Sequence, residues 1–281
     1  MRWKRTLVKL PIRFEIDHGQ NVNMPKFNAN LTMLFREVDF LDRFKAAKDA
    51  GFRGVEYLFP YAHRKEDLVE RLQANGLTQV LHNLPAGDWA RGERGIACVP
   101  GRAGEFQEGV GQAIEYAQAL QCTQLNCLVG ITPKNIDPVQ LRDTLVRNLQ
   151  YAAAQLKAAG IRLLLEPCNT RDIPGFFLNR SQQALEIIDA VGSDNLFLQY
   201  DIYHMQVMEG NLAPTIQRNL DRIRHLQLAD NPGRNEPGTG EINYPFLFGF
   251  IDKLGYSGWI GCEYKPAKST AEGLDWIRPY L

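Results

Sequence analysis

Short runs of apolar residues recur along the chain, and several of them stop on a carboxylate or an amide. They are found at 27–34, 54–59, 78–84, 124–129, 162–166, 196–201, 224–228 and 259–263. Apolar character on both faces, without strict alternation, fits parallel strands covered by helices rather than strands facing water. Between these runs apolar residues return at three- and four-residue spacing over 40–50, 65–75, 106–120, 140–159, 181–191 and 244–254, which predicts amphipathic helices. Gly51, Gly76, Gly160 and Gly255 follow four of them, where a helix takes its left-handed stop. Asp39 and Ser181 stand where N-caps belong. The alternation predicts the α/β class, a single (β/α)8 TIM barrel. A doubly wound open sheet would be expected to carry a glycine-rich phosphate loop after an early strand, and the chain has no G-x-G-x-x-G or P-loop.

Length and charge narrow this picture. The 281 residues suit one barrel of about 250 residues. Lys plus Arg equals Asp plus Glu at 32 each, so the basic excess of a nucleic-acid binder is missing and no nucleic-acid partner is expected. Residues 1–24 begin with a basic Met1-Arg-Trp-Lys-Arg, and Lys9 and Pro11 interrupt the apolar stretch that follows. That is too little for a signal peptide or a membrane span. The segment reads as an N-terminal extension outside the fold, with the barrel domain over 25–281. The five cysteines, Cys98, Cys122, Cys127, Cys168 and Cys262, have no zinc-ligand spacing and read as reduced core thiols of a cytoplasmic protein.

The strand ends carry the candidate chemistry. Glu166, Asp201, Gln227 and Glu263 close the fifth to eighth strands, on the C-terminal rim where barrels place their active sites. Any one of them alone is as readily a structural partner for a neighbouring loop. Together they form an oxygen-rich set that favours Mg2+ or Mn2+, because carboxylates buried side by side are costly without a cation. His204 follows Asp201 in a D-x-x-H pair and can bond a substrate oxygen or simply pack in its loop. His82 on the third strand and Glu56 on the second face the same choice. Alternation puts His225 on the same side as Gln227, one layer deeper, in a supporting role. His18 and His63 carry no such context and read as solvated. Two long connections, 83–102 and 230–241, belong on the catalytic face. Two glutamates flanking one substrate suit proton transfer between adjacent carbons.

Several longer stretches resemble the hydroxypyruvate isomerase family: His82-Asn-Leu-Pro-Ala-Gly-Asp-Trp-Ala, Gln199-Tyr-Asp-Ile-Tyr-His-Met-Gln206, Glu236-Pro-Gly-Thr-Gly-Glu-Ile-Asn-Tyr and Gly261-Cys-Glu-Tyr-Lys-Pro266. The likeness runs from about Asn28 to the C-terminus and implies a xylose-isomerase-like barrel. It also implies interconversion of hydroxypyruvate and 2-hydroxy-3-oxopropanoate, with Glu166 and Glu263 as the proton donor and acceptor. The ion-holding positions of metal-bound relatives match Glu166, Asp201, Gln227 and Glu263. The substrate implied is a small hydroxy-oxo acid, whose carboxylate needs a cation. Lys265, Arg91, Arg94 and Arg234 are the candidates on rim loops, and Trp89 either closes over the pocket or packs the lid.

Three rival readings follow. A 2-oxo-tetronate isomerase or a ketose 3-epimerase would use the same carboxylates with a longer pocket. A metal-dependent endonuclease would require a histidine-rich zinc cluster and a basic groove. A non-catalytic ligand-binding protein has no use for both glutamates. A homodimer is compatible with the sequence, and Phe246-Leu-Phe-Gly-Phe250 is either its interface or ordinary helix core.

Overall fold

The computed structural model describes residues 25–281. The extension predicted over 1–24, with His18, lies outside the described residues. Eight parallel strands close into a barrel in sequence order: β1 Lys26–Asn30, β2 Gly54–Glu56, β3 Thr78–Asn83, β4 Gln124–Cys127, β5 Arg162–Leu165, β6 Leu196–Asp201, β7 Ile223–Leu228 and β8 Trp259–Cys262. β1 pairs with β8, from Lys26–Trp259 to Ala29–Cys262. The crossovers are α1 Arg43–Asp49, α2 Lys65–Asn75, α3 Ala103–Ala119, α4 Pro138–Ala158, α5 Ser181–Val191, the short pair α6 Ile202–Met208 and α7 Leu212–Asn219, and α8 Tyr244–Lys253. The main apolar core lies between the strands and this outer ring. In place of a last outer helix, the 3-10 turns Ala271–Leu274 and Arg278–Tyr280 follow β8, and Trp276 and Tyr280 set their ring edges against Phe27 of β1.

Several expectations are corrected. β1 ends at Asn30, because Leu31 to Leu34 form a turn. The extra pair α6–α7 was not read from the sequence. Gly210 and Asn211, both at positive φ, divide it into two pieces too short to show a repeating stripe. Ser181 is not the N-cap of α5. Arg180 holds that position, and the Ser181 hydroxyl instead donates to Glu209 at 2.9 Å. Asp39 precedes the 3-10 turn Phe40–Asp42 without a side-chain capping bond. On α8 Leu247 and Phe248 are core, whereas Phe246 is exposed and stacks on Phe250 with 5.9 Å between centroids.

β3 carries an irregularity that redirects its side chains. Its pairing with β2 passes from Val55–Gln79 directly to Glu56–Leu81, so one β3 residue has no counterpart. A bulge of this kind exchanges the faces of the residues beyond it. Leu81 and Asn83 therefore line the central cavity, and His82 turns out to the helix layer beside Tyr61, 6.1 Å between ring centroids.

Candidate active site

The C-terminal ends of the strands enclose a cavity of about 290 Å³, whose walls include Glu56, Glu166, Gln199, His204, Gln227 and Glu263. Beside it the barrel interior carries amides and charge, and a small apolar cluster of Val80, Leu81 and Leu164, apart from the main core, is packed by Phe197 and Trp259. Glu56 of β2 crosses the interior: one oxygen accepts from Asn30 Nδ2 at 3.1 Å and from Gln227 Nε2 at 2.8 Å, and the other lies 2.7 Å from His225 Nε2. The supporting role predicted for His225 is what the geometry gives it. The Gln227 amide is held at both ends, since its carbonyl oxygen accepts from Gln199 Nε2 at 2.7 Å. Gly261 of β8 has no side chain where Glu56 needs room, and a methyl group there would run into the Glu56 carboxylate.

Three carboxylates converge above this layer. Glu166, Asp201 and Glu263 each offer an oxygen within 4.8 Å of the others, and all three are buried. Asp201 N-caps α6: its Oδ1 accepts from Tyr203 N at 2.8 Å and His204 N at 3.2 Å. Its Oδ2 is buried without a partner. Glu166 accepts from Asn126 Nδ2 at 2.8 Å. Burial, with Glu263 and Asp201 nearby, pushes the Glu166 carboxyl well above the usual carboxylate range. Burial also raises Glu263, against the pull of Arg234, and raises Asp201. An orphaned carboxylate oxygen beside two raised glutamates is a donor set short of positive charge, and it fits a hard divalent cation.

The raised carboxyls set a sign for pH dependence. A group whose folded pKa lies above its unfolded value stabilises the protein below the unfolded pKa, and that stability is lost as pH rises through the folded pKa. His82 and His204 act in the opposite sense below their unfolded pKa of about 6.5, because burial keeps both rings neutral in the folded chain. Above about pH 6.5, where the histidines no longer change, the metal-free protein is expected to lose thermal stability as pH climbs toward 9. Added Mg2+ or Mn2+ should restore more stability at the upper end than at the lower, since protons then compete less for the ligands. Melting curves with chelator and with metal across this range test both statements. A melting temperature that rises with pH in chelator would contradict the raised carboxyls.

The remaining predicted residues divide. His204 lines the cavity with Nε2 3.7 Å from Asp201 Oδ2 and 3.9 Å from Glu166 Oε1. Arg234 reaches in from the loop after β7, with Nη2 3.5 Å from Glu263 Oε1 and Nη1 3.5 Å from Asp172 Oδ2. Lys265 and Arg94 line the mouth, and neither forms an ion pair among the described residues. The Arg94 guanidinium lies 3.9 Å from the Trp89 ring centroid, and Trp89 in turn packs on Phe59. Arg91 is exposed and is not part of the cavity wall. His82 is also outside it: buried against the helices, its pKa is pushed down to about 3. His63 is half-buried and stacked on Phe40, not solvated. Sequence reading passed over Asn126, Asn169 and Asp172, which hold Glu166, His204 and Arg234 respectively. Asn126 sits in an apolar strand and was legible as a buried amide; the other two lie just past Glu166, in a loop without a pattern.

A closed parallel barrel with three carboxylates converging at its C-terminal rim has the form of an enzyme active site. Residues 44–280 match the model of the Xylose isomerase-like TIM barrel family, and the chain belongs to that family. It is 57% identical over 257 residues to hydroxypyruvate isomerase of Escherichia coli, spanning 92% of this chain and 100% of that one. It is 49% identical to 2-oxo-tetronate isomerase of Cupriavidus necator, over 92% of this chain and 99% of the relative. A crystal structure described as AP endonuclease, family 2 from Brucella melitensis superposes with a TM-score of 0.90 at 45% identity, covering 92% and 99% of the two chains. With such curated relatives, the chain is an isomerase.

Among the described residues no helix is long and apolar enough to cross a membrane. All five cysteines are free and buried.

Proposed function

We propose that the protein interconverts hydroxypyruvate and 2-hydroxy-3-oxopropanoate, with Glu166 and Glu263 moving the carbon-bound proton. The observation that carries this reading is the pair itself: two buried glutamates, just past the ends of β5 and β8, on the wall of one small cavity beside the unpartnered Asp201 oxygen. A cavity of about 290 Å³ lies at the small end of ligand pockets, roughly 300–1,000 Å³, and favours a three- or four-carbon acid over a hexose. The relative from E. coli carries the name of this activity.

Glu166, Asp201, Gln227 and Glu263 would hold a divalent ion, Mg2+ or Mn2+, whose charge lowers the acidity barrier at the carbon next to a carbonyl. One glutamate takes a proton from C3 and the other delivers one to C2, so the carbonyl moves from C2 to C3. A second proton passes from the C3 oxygen to the C2 oxygen. His204 Nε2 faces the space between Glu166 and Asp201, where a substrate oxygen can accept from it. Lys265 and Arg94, which form no ion pair among the described residues, take the substrate carboxylate. Arg234 is already shared between Glu263 and Asp172, and steadies the carboxylate that exchanges the proton. The five buried thiols suit a reducing compartment, and the cytoplasm is the location we infer.

Proton NMR with hydroxypyruvate in D2O, with Mg2+ and after chelation, tests the reading. The expected result is formation of the aldehyde with deuterium at the exchanged carbon, lost on chelation. Absence of both conversion and exchange in the metal-loaded protein would reject hydroxypyruvate as substrate. A four-carbon 2-oxo acid is the second reading, favoured by the relative from C. necator.

A further inference from the structure

We propose that Asn169 is a positioning residue that fixes the tautomer of His204, so that the ring presents a proton on Nε2 to the site and does not act as a metal ligand. Asn169 lies three residues past Glu166 and is fully buried. Its side-chain oxygen accepts from the backbone N–H of Asp172 at 2.7 Å. A backbone N–H can only donate, so that contact fixes which end of the amide is oxygen. The NH2 end is therefore turned to His204, with Nδ2 2.6 Å from Nδ1. The backbone N–H of Asn169 points at the same ring nitrogen from 3.3 Å. Two donors meet on Nδ1, which must offer them a lone pair. A nitrogen that accepts carries no proton, so the ring is not the doubly protonated imidazolium and its one proton resides on Nε2.

The tautomer decides what the site can hold. Glu166, Cys168 and His204 also bring an oxygen, a sulfur and a nitrogen within 4.8 Å of one another. Such a mixed set suits zinc, whereas the oxygen set of Glu166, Asp201 and Glu263 suits a harder ion. Both sets need Glu166, so they compete. A protonated Nε2 has no lone pair for a metal and removes His204 from the mixed set. The same N–H is left 3.7 Å from Asp201 Oδ2 and 3.9 Å from Glu166 Oε1, too far to bond either, and free for an oxygen bound between them. Asn169 thus does two things through one hydrogen-bonding pattern: it supplies the site with a donor and withholds a soft-metal ligand.

This inference rests on the reading of His204 as a substrate contact, but its first test needs no substrate. The full-length protein is labelled with 15N-histidine and stripped with chelator. Its long-range proton–nitrogen spectrum is recorded near neutral pH, and His204 is assigned by comparison with His204→Gln. The expected pattern is a neutral ring with the proton on Nε2. A proton on Nδ1, an averaged mixture or a charged ring would overturn the proposal, whatever hydroxypyruvate does. The second test is Asn169→Asp, whose carboxylate accepts from Nδ1–H and frees Nε2. In the folded variant the His204 pattern should change, and the affinity for Zn2+ relative to Mn2+ should rise by about tenfold or more. Unchanged His204 signals together with an unchanged Zn2+ to Mn2+ ratio would overturn it equally.

Discussion

Replacing Glu263 with glutamine is expected to lower turnover by about 10³- to 10⁴-fold while leaving the barrel folded, because an amide of nearly the same shape can neither take nor return a proton. Glu166→Gln should lose a similar amount. The double variant should be little worse than either single one, since in the proposed mechanism the two carboxyls serve one proton transfer and their losses do not add. The stability effect has the opposite sign. Glu263 is buried with its pKa raised to about 8 by burial and by the charges of Asp201 and Glu56, partly offset by Arg234. In chelator at pH 8 or above, glutamine removes a charge that the folded state tolerates poorly. Glu263→Gln should then be more stable than the unmodified protein by on the order of 2 kcal/mol. The gap should close toward pH 5, where Glu263 is already neutral. Initial rates and melting curves on the same preparations measure both. Turnover within tenfold of the unmodified protein, or a melting temperature lowered in chelator at pH 8, would contradict this account of Glu263.

Asp230→Ala is expected to have the largest effect on stability of any substitution outside the acidic centre. Asp230 is fully buried just beyond β7 and collects four backbone N–H groups of the following loop: Asn231 at 2.9 Å and Ile242 at 3.1 Å on one oxygen, Gly238 and Gly240 each at 2.9 Å on the other. Alanine leaves all four without an acceptor. Water can reach some of them, so the loss is set at about 4 kcal/mol rather than four full desolvation penalties of about 1–3 kcal/mol each. For a chain of this size that corresponds to a fall in melting temperature on the order of 10 °C. The same loop carries Arg234, whose backbone oxygen accepts from Lys265 N at 2.8 Å. Activity should therefore drop as well, even below the melting transition. Asp230→Asn, which keeps one strong acceptor, should lie between. A melting temperature within about 2 °C of the unmodified protein would show that the loop is held by something else.

Much of the architecture was legible because parallel strands and amphipathic helices leave different periods in the chain. The eight strands fall where the apolar runs stand, and the acidic residues at the ends of 162–166, 196–201 and 259–263 do converge. What could not be read depends on neighbours rather than on local pattern. His82 lies in a strand buried on both faces, so nothing local marks its direction, and the bulge against β2 decides that it points away from the cavity. The first turn of α6 looked like loop because its helical signal is only seven residues long and its N-cap, Asp201, was already assigned to the site. For Glu56 the sequence leaves a substrate contact and plain packing equally open. Its bonds to Asn30, His225 and Gln227 could not be foreseen, because which residues meet across a barrel depends on how the strands are staggered.

Those bonds from Glu56 bear on the order in which the molecule assembles. Its contacts with His225 and Gln227 join residues 169 and 171 positions apart in the chain, and contacts of such separation form late, after most of the loop entropy has been spent. A folding intermediate that has gathered β5 to β8 already contains Glu166, Asp201, Gln227 and Glu263, yet its Gln227 amide is free to turn until β2 arrives. The proposed ion site is therefore finished by β2, a strand from the N-terminal half of the chain. Tight metal binding, followed during refolding, would time the closing of the ring rather than the folding of the half that supplies the ligands.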